Sequence, residues 1–444
     1  MTLVNSMRVL FASMPFDGHL GPVLGVAAHF AQAGHEVAVY TGPSYATKLQ
    51  ALGLRHFPYR RAKDVNTHNL VEHVPEYANV RPGPKQIEIA STQIFFANCA
   101  GHFDDVREIQ REFAFDAFVA DGALYAAYLV RQKLSPNVFL LGPGPTPAPR
   151  GANSPPPFFG LRPATNPVTR VWHRVVESLI DRTNRRGVAL FEALLAREGL
   201  PPLDVHVFDL PCRAAVTLFQ SGCPGMDFPR DDWPANYRFV GPLLPPRRTS
   251  GGELGFADLR AKHEKLVVIS QGTVDNREPA KLFVPALEAL AGGPHLVVAT
   301  TGGSHTAELR ARFSHSNVII EDWIDYDQLM AEADVFVSNG GYGSVMHALL
   351  HGVPVVSAGK LEAKNDINAR LAFRGLAIDL DTERPTPKQV AAGVARALVD
   401  TRLREHVERV RDELRAYRPY ETIEADVSEH VRAAAAAPGR ARSA

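Results

Sequence analysis

The chain has 444 residues, 45% of them hydrophobic, and 48 lysines and arginines stand against 48 aspartates and glutamates. That length exceeds one ordinary core and predicts two domains of about 200 residues each, while the balanced charge excludes a global basic field of the kind that binds nucleic acid or an anionic membrane. Three cysteines, Cys99, Cys212 and Cys223, show no CxxC spacing, which excludes a disulfide framework or zinc site and fits a reducing cytoplasm.

The N-terminus lacks a cationic n-region followed by a sustained apolar stretch, and no run reaches the ~18 apolar residues of a spanning helix. Neither an export signal nor a membrane span is expected, and the expected location is cytoplasmic. The first apolar run, RVLFAS (8–13), reads as a strand, followed by the turn SMPFDGH and a helical pattern with Val23, Val26, Ala27 and Phe30 on one face. Pro22 marks the expected helix start and Gly34 its end. His19 is thereby placed in the turn. Further strand-like runs, EVAVY (36–40), FDAFVAD (115–121) and NVFLL (137–141), alternate with helical stretches. Such alternation implies a parallel sheet covered by helices on both faces.

Residues 142–167 are so rich in Pro and Gly that a long loop is expected. A second break, PPRRTSGGELG (245–255), precedes a new alternation: KLVVIS (265–270), HLVVAT (295–300), DVFVS (334–338) and VPVVSAG (353–359). The expected fold class is therefore α/β, with two doubly wound domains. Their boundaries are placed at 1–244, a linker at 245–262, 263–418, and a C-terminal segment at 419–444 that ends in a low-complexity tail, AAAAAPGRARSA, expected to fray. Ligands of open parallel sheets bind outside the carboxyl ends of the strands. A cleft between two such domains could hold two substrates face to face.

His19 follows the carboxyl end of the first strand, and Asp121 ends the strand FVAD. A histidine there suits a general base if a carboxylate orients it; equally, His19 could complete a turn and Asp121 cap the next helix. Asp17 and Asp116 are weaker partners for it. In the second half, VSNGGYGSVMHALLHGVPVV (337–356) places Gly340, Gly341 and Gly343 between a buried strand and a helix that Ser344 could cap. Free N–H groups and the positive helix end then suit a diphosphate. Gly272 and Thr273 form a similar turn, and an exposed Trp323 could stack on a base, although a lone tryptophan is more often core. No Walker pattern and no first-strand GxGxxG are present, which argues against ATP and NAD. The acid pairs DYD (325–327) and DLD (379–381) are more economically read as caps and strand ends than as metal ligands.

These motifs resemble the family 1 glycosyltransferases of GT-B fold, in particular a bacterial natural-product and macrolide subgroup. The residues that carry the resemblance are GHLGP near the N-terminus and the segment Trp323 to Arg370 with NGGYGS and HGVP. It implies two Rossmann-like domains facing across a cleft and an inverting transfer of sugar from a UDP- or dTDP-sugar to a hydroxyl of a small lipophilic acceptor, such as a polyketide, macrolide or phenol, giving a β-glycoside. By resemblance His19 is the base and Asp121 its partner; Trp323, Gly272, Thr273, Gly341, Gly343 and Ser344 hold the donor, without a required metal or other cofactor. The chain departs from the family in having Asn339 for a phosphate-binding histidine and His347 for a ribose-binding glutamate. Where the family has an Asp-Gln pair for the sugar, this chain offers Glu362, Asn365 or Asp366. Ser13, Phe16 and Phe158 are expected at the acceptor. The rival readings are a sugar-nucleotide epimerase of similar architecture, a non-catalytic auxiliary subunit, and an NAD-dependent oxidoreductase. The sequence sets no oligomeric state.

Overall fold

The computed structural model describes residues 6–80, 83–145, 154–246, 260–272, 275–361 and 363–436. Thr273, Glu362, the centre of the Pro-rich loop, much of the expected linker and the last eight residues lie outside them.

Seven parallel strands form the first sheet: β1 (Arg8–Ala12), β2 (Glu36–Thr41), β3 (Arg55–Pro58), β4 (Ala117–Asp121), β5 (Val138–Gly142), β6 (Leu218–Ser221) and β7 (Tyr237–Gly241), in the order β3-β2-β1-β4-β5-β6-β7. Six more form the second: β8 (Leu266–Ser270), β9 (Leu296–Thr300), β10 (Val318–Glu321), β11 (Val335–Ser338), β12 (Val355–Ser357) and β13 (Ala377–Asp379), in the order β10-β9-β8-β11-β12-β13. Central strands such as β4 and β8 are buried along their whole length, because helices cover both faces of a parallel sheet. Alternate residues of the first sheet feed two separate cores: Leu10, Phe118 and Leu140 on one face, and Phe11, Val119 and Phe139 on the other.

Six helices matter for the site: α1 (Asp17–Gln32), α2 (Pro167–Arg197), α3 (Tyr326–Glu332), α4 (Tyr342–Leu350), α5 (Lys364–Phe373) and α6 (Pro419–Ala436). Helix α1 begins five residues earlier than the proline suggests. The His19 and Leu20 N–H groups both donate to the Phe16 carbonyl, which closes a first turn and leaves Pro22 inside the helix. His19 is therefore the third helical residue instead of a turn residue. Gly25, one turn beyond Gly21, lies where a Cβ would collide with the Leu244 carbonyl, so the chain leaving the first sheet crosses directly over α1. Helix α2 starts at a capping box, in which the Asn166 side chain accepts from the Thr169 N–H and the Thr169 hydroxyl answers to the Asn166 backbone.

Helix α6 returns to the first sheet. Ile423 and Val427 are fully buried in the core that contains Val9, Phe11 and Phe30, and Glu424 holds His29 at 2.8 Å. The helix runs on through four of the alanines expected to fray, ending at Ala436, since alanine is the strongest helix former. Ile423→Ala should cost about 2–5 kcal/mol, read as a lower denaturation midpoint at unchanged slope.

Candidate active site

In each sheet the strand order reverses once, between β1 and β4 and between β8 and β11. These are the switch points at which a crevice opens beyond the carboxyl ends. His19 and Asp121 stand at the first. The His19 Nδ1 lies 2.9 Å from Asp121 Oδ2 and 3.1 Å from Oδ1, with the imidazole 33% exposed and the carboxylate fully buried. Asp121 also accepts from the Ala123 N–H at 3.0 Å and the Met14 N–H at 3.4 Å. A carboxylate so held keeps the proton of the neutral ring on Nδ1 and directs Nε2 to the other side of the ring. Phe16 packs edge-on to the His19 ring at 6.2 Å. Of the two weaker partners, Asp116 caps the start of β1 through the Arg8 N–H and Asp17 lies in the first turn of α1.

Ser13 does not reach the cleft. It is fully buried, its hydroxyl donates to the Met14 carbonyl, and its own carbonyl accepts from Thr41 and Tyr59. The residue directly follows β1, and its side chain turns into the protein.

The second switch point carries the glycine turns after β8 and β11. Asn339 joins them: its Nδ2 donates to the Gln271 carbonyl and its Oδ1 accepts from the Gly341 N–H at 3.2 Å. Each amide atom thus has a backbone partner, which fixes the side chain between the two turns; Nδ2 carries a second hydrogen. A Cβ on Gly340 would overlap Asn368, and its φ of +88° favours glycine independently. Gly341 is the N-cap of α4, so Ser344 is the third helical residue, its hydroxyl donating back to the Gly341 carbonyl at 2.9 Å. The N–H groups of Tyr342, Gly343 and Ser344 have no intrahelical acceptor. A Cβ at Gly343 would meet nothing within 4 Å, so ligand atoms have room against this backbone.

Trp323 is 49% exposed and lies over a third glycine turn, TTGGS after β9, where the indole sits 3.7–3.8 Å from Cβ positions built on Gly302 and Gly303. That turn and Tyr326 were missed in the sequence; the signal was a glycine pair directly after an apolar run. Tyr326 reaches the Thr300 hydroxyl at 3.1 Å and packs its ring on His347 at 5.6 Å. His347 in turn lies 3.2 Å from Asp327, with His351 at 3.5 Å on the other side. Burial lowers the pKa of His351. The DYD acids are accounted for, since Asp325 caps α3 and Asp327 pairs with the histidines. In DLD, Asp379 accepts from the Asp381 N–H and Asp381 pairs with Lys360.

Asp366 is the other correction. Its oxygens accept the Phe158 N–H at 2.6 Å and the Gly160 N–H at 2.8 Å, and Asn365 donates to the Phe158 carbonyl at 2.6 Å. Burial raises its pKa, opposed by Arg370 and by these two bonds. The carboxylate clasps the loop before α2 instead of facing a sugar, and holds Phe158 at a φ of +72° with its ring against Phe208 at 5.5 Å. Tyr342 and Arg370 cross between the same units, to the Ser221 carbonyl at 2.8 Å and to Asp227 at 2.9 Å. Arg277, just beyond the β8 turn, donates to the His68 carbonyl at 2.9 Å. The carboxyl ends of the two sheets consequently face each other.

The C-terminal domain family of erythromycin biosynthesis protein CIII-like proteins matches residues 287–428. The 4'-demethylrebeccamycin synthase of Lentzea aerocolonigenes is 31% identical over 420 residues, covering 92% of this chain and 96% of its own. This chain belongs to the family 1 glycosyltransferases. UDP-glycosyltransferase 2 of Phaeomoniella chlamydospora is 28% identical over 434 residues, 95% of each chain. The solved glycosyltransferase of kitacinnamycin superposes with a TM-score of 0.71 at 22% identity, covering 97% of this chain and 100% of that one, and shows the shared GT-B fold. The transferase has no helix, among the described residues, long and apolar enough to cross a membrane.

Removing the clasp should loosen the loop. Asp366→Ala leaves two N–H groups without acceptors, at about 1–3 kcal/mol each, so limited proteolysis within 154–160 should accelerate and Tm should fall. Asp366→Asn, which keeps one acceptor, should fall between the two.

Proposed function

We propose that this glycosyltransferase moves a sugar from UDP- or dTDP-sugar to a hydroxyl of a small lipophilic acceptor with inversion at the anomeric carbon. The observation that carries the reading is the His19–Asp121 pair on one sheet edge, facing the uncapped N-terminus of α4 on the other. His19 Nε2 takes the acceptor proton as the oxygen attacks the anomeric carbon, and the bond from that carbon to the diphosphate oxygen breaks. Attack from the face opposite the leaving group turns an α-linked donor into a β-glycoside.

Buried Asp121 stabilises the imidazolium that forms. The departing diphosphate gains negative charge, which the N–H groups of Tyr342, Gly343 and Ser344 stabilise by donating to it, together with the dipole of α4. Trp323 offers an exposed face for a pyrimidine, and a tryptophan stack serves uracil and thymine alike. Phe16, beside the base, supplies apolar surface to the acceptor. None of these roles calls on a metal ion.

His19→Ala should lower kcat by roughly 10²–10⁴-fold and leave the Kd for UDP or dTDP, measured by calorimetry, unchanged. Undiminished turnover would remove His19 as the base, and no measurable transfer by the wild type with any acceptor tried would favour an auxiliary subunit. Trp323→Ala should raise the Kd for the nucleoside diphosphate roughly 5- to 150-fold, the equivalent of about 1–3 kcal/mol of base stacking.

A further inference from the structure

Nine large apolar side chains among the described residues are 40% or more exposed, and six of them lie on α2. Val168, Val171, Trp172, Val175 and Leu179 recur at spacings of three and four and are 41–77% exposed. They form one face of the N-terminal half of the helix, roughly 100° around its axis from the buried Val176 and Ile180. At 1.5 Å per residue the stripe is roughly 17 Å long. Five arginines, Arg170, Arg174, Arg182, Arg185 and Arg186, lie on the same stretch against two acids, Glu177 and Asp181. Asp181 is paired with His206 and Arg186 with Glu88. Among the described residues, the other four arginines are exposed and make no ion pair.

We propose that this face of α2 docks on the surface of an anionic lipid bilayer. Five side chains so exposed offer roughly a few hundred Å² of apolar area, more than scattered surface residues do and less than the ~800 Å² per partner of a stable protein interface. A second copy meeting this face across a two-fold axis would bring the arginines of both copies together. Anionic headgroups instead neutralise them while Trp172 and the valines enter the boundary with the acyl chains. A net charge of zero for the whole chain conceals this cluster. The loop clasped by Asp366 leads directly into α2, so docking would bring the acceptor side of the cleft towards the bilayer. That consequence, unlike the docking itself, rests on the function proposed above.

The test is cosedimentation of the full chain with vesicles of phosphatidylcholine alone and with about 30% phosphatidylglycerol. Binding is expected only to the anionic vesicles, with a fall of roughly tenfold or more in partitioning on raising salt from about 0.1 M to about 0.5 M. A Val171→Asp, Val175→Asp double variant and an Arg174→Gln, Arg182→Gln, Arg185→Gln triple variant should each lose binding. Both should keep the wild-type Tm and wild-type transfer to a detergent-solubilised acceptor. No binding to anionic vesicles, or binding that survives both variants, overturns the proposal. So does a concentration-dependent dimer in sedimentation velocity that the Asp variant dissociates, since the face then belongs to a second copy. Loss of transfer in His19→Ala is read separately, so the docking surface and the proposed chemistry fail independently.

Discussion

Asp121 sits at the end of a central strand with no exposure to solvent, and a carboxylate in that position is tolerated only if every lone pair direction is answered. The Ala123 and Met14 N–H groups and His19 Nδ1 answer it. Two of those three partners belong to the segment that follows β1, so the same bonds tie the ends of β1 and β4 together across the crevice. The orientation of the imidazole is thus a by-product of satisfying a buried charge. Positioning of the imidazole and stability of the fold draw here on one set of hydrogen bonds.

The second sheet solves the corresponding problem with an amide. Asn339 bridges the turns after β8 and β11, at the place where the first sheet has Asp121 and His19. Because Nδ2 and Oδ1 each bond to backbone, the residue fixes the two turns against each other without contributing charge. The remaining polarity comes from the first turn of α4, where helix geometry leaves three N–H groups unanswered. His347 is drawn towards Asp327 on α3 in a similar way, and this brings α3 and α4 together beside Trp323.

A cleft between two sheets is useful only if its walls keep their relation. Tyr342, Arg370 and Asp366 all reach from the donor side into backbone or carboxylate groups of the other side. Arg370 pairs with Asp227 and Asp366 accepts two backbone N–H groups, so the contacts are directional as well as cohesive. Helix α6 adds a covalent return path, since the chain leaves the second sheet and packs this helix against the first.

Sequence pattern alone determined the inner strands. Each of the eight strands legible as apolar runs is β1, β2, β4, β5, β8, β9, β11 or β12, all flanked on both sides within their sheets. The unread ones, β3, β7, β10 and β13, are edges, and β6 is a four-residue strand carrying Gln220. Burial on both faces leaves a continuous apolar signature, whereas an edge strand exposes one side and mixes its composition. The same local logic located His19, Asp121, the glycine turns and Trp323, because strand ends and helix starts are marked by neighbouring residues. Only tertiary structure decided what Asn339, Asp366 and Ser13 do. Asn339 and Asp366 bond to backbone 68 and 208 or 206 residues away, and no periodicity records a partner at that distance. Ser13 was placed at the acceptor and is buried instead for a simpler reason: which way the residue after a strand points depends on what covers the sheet.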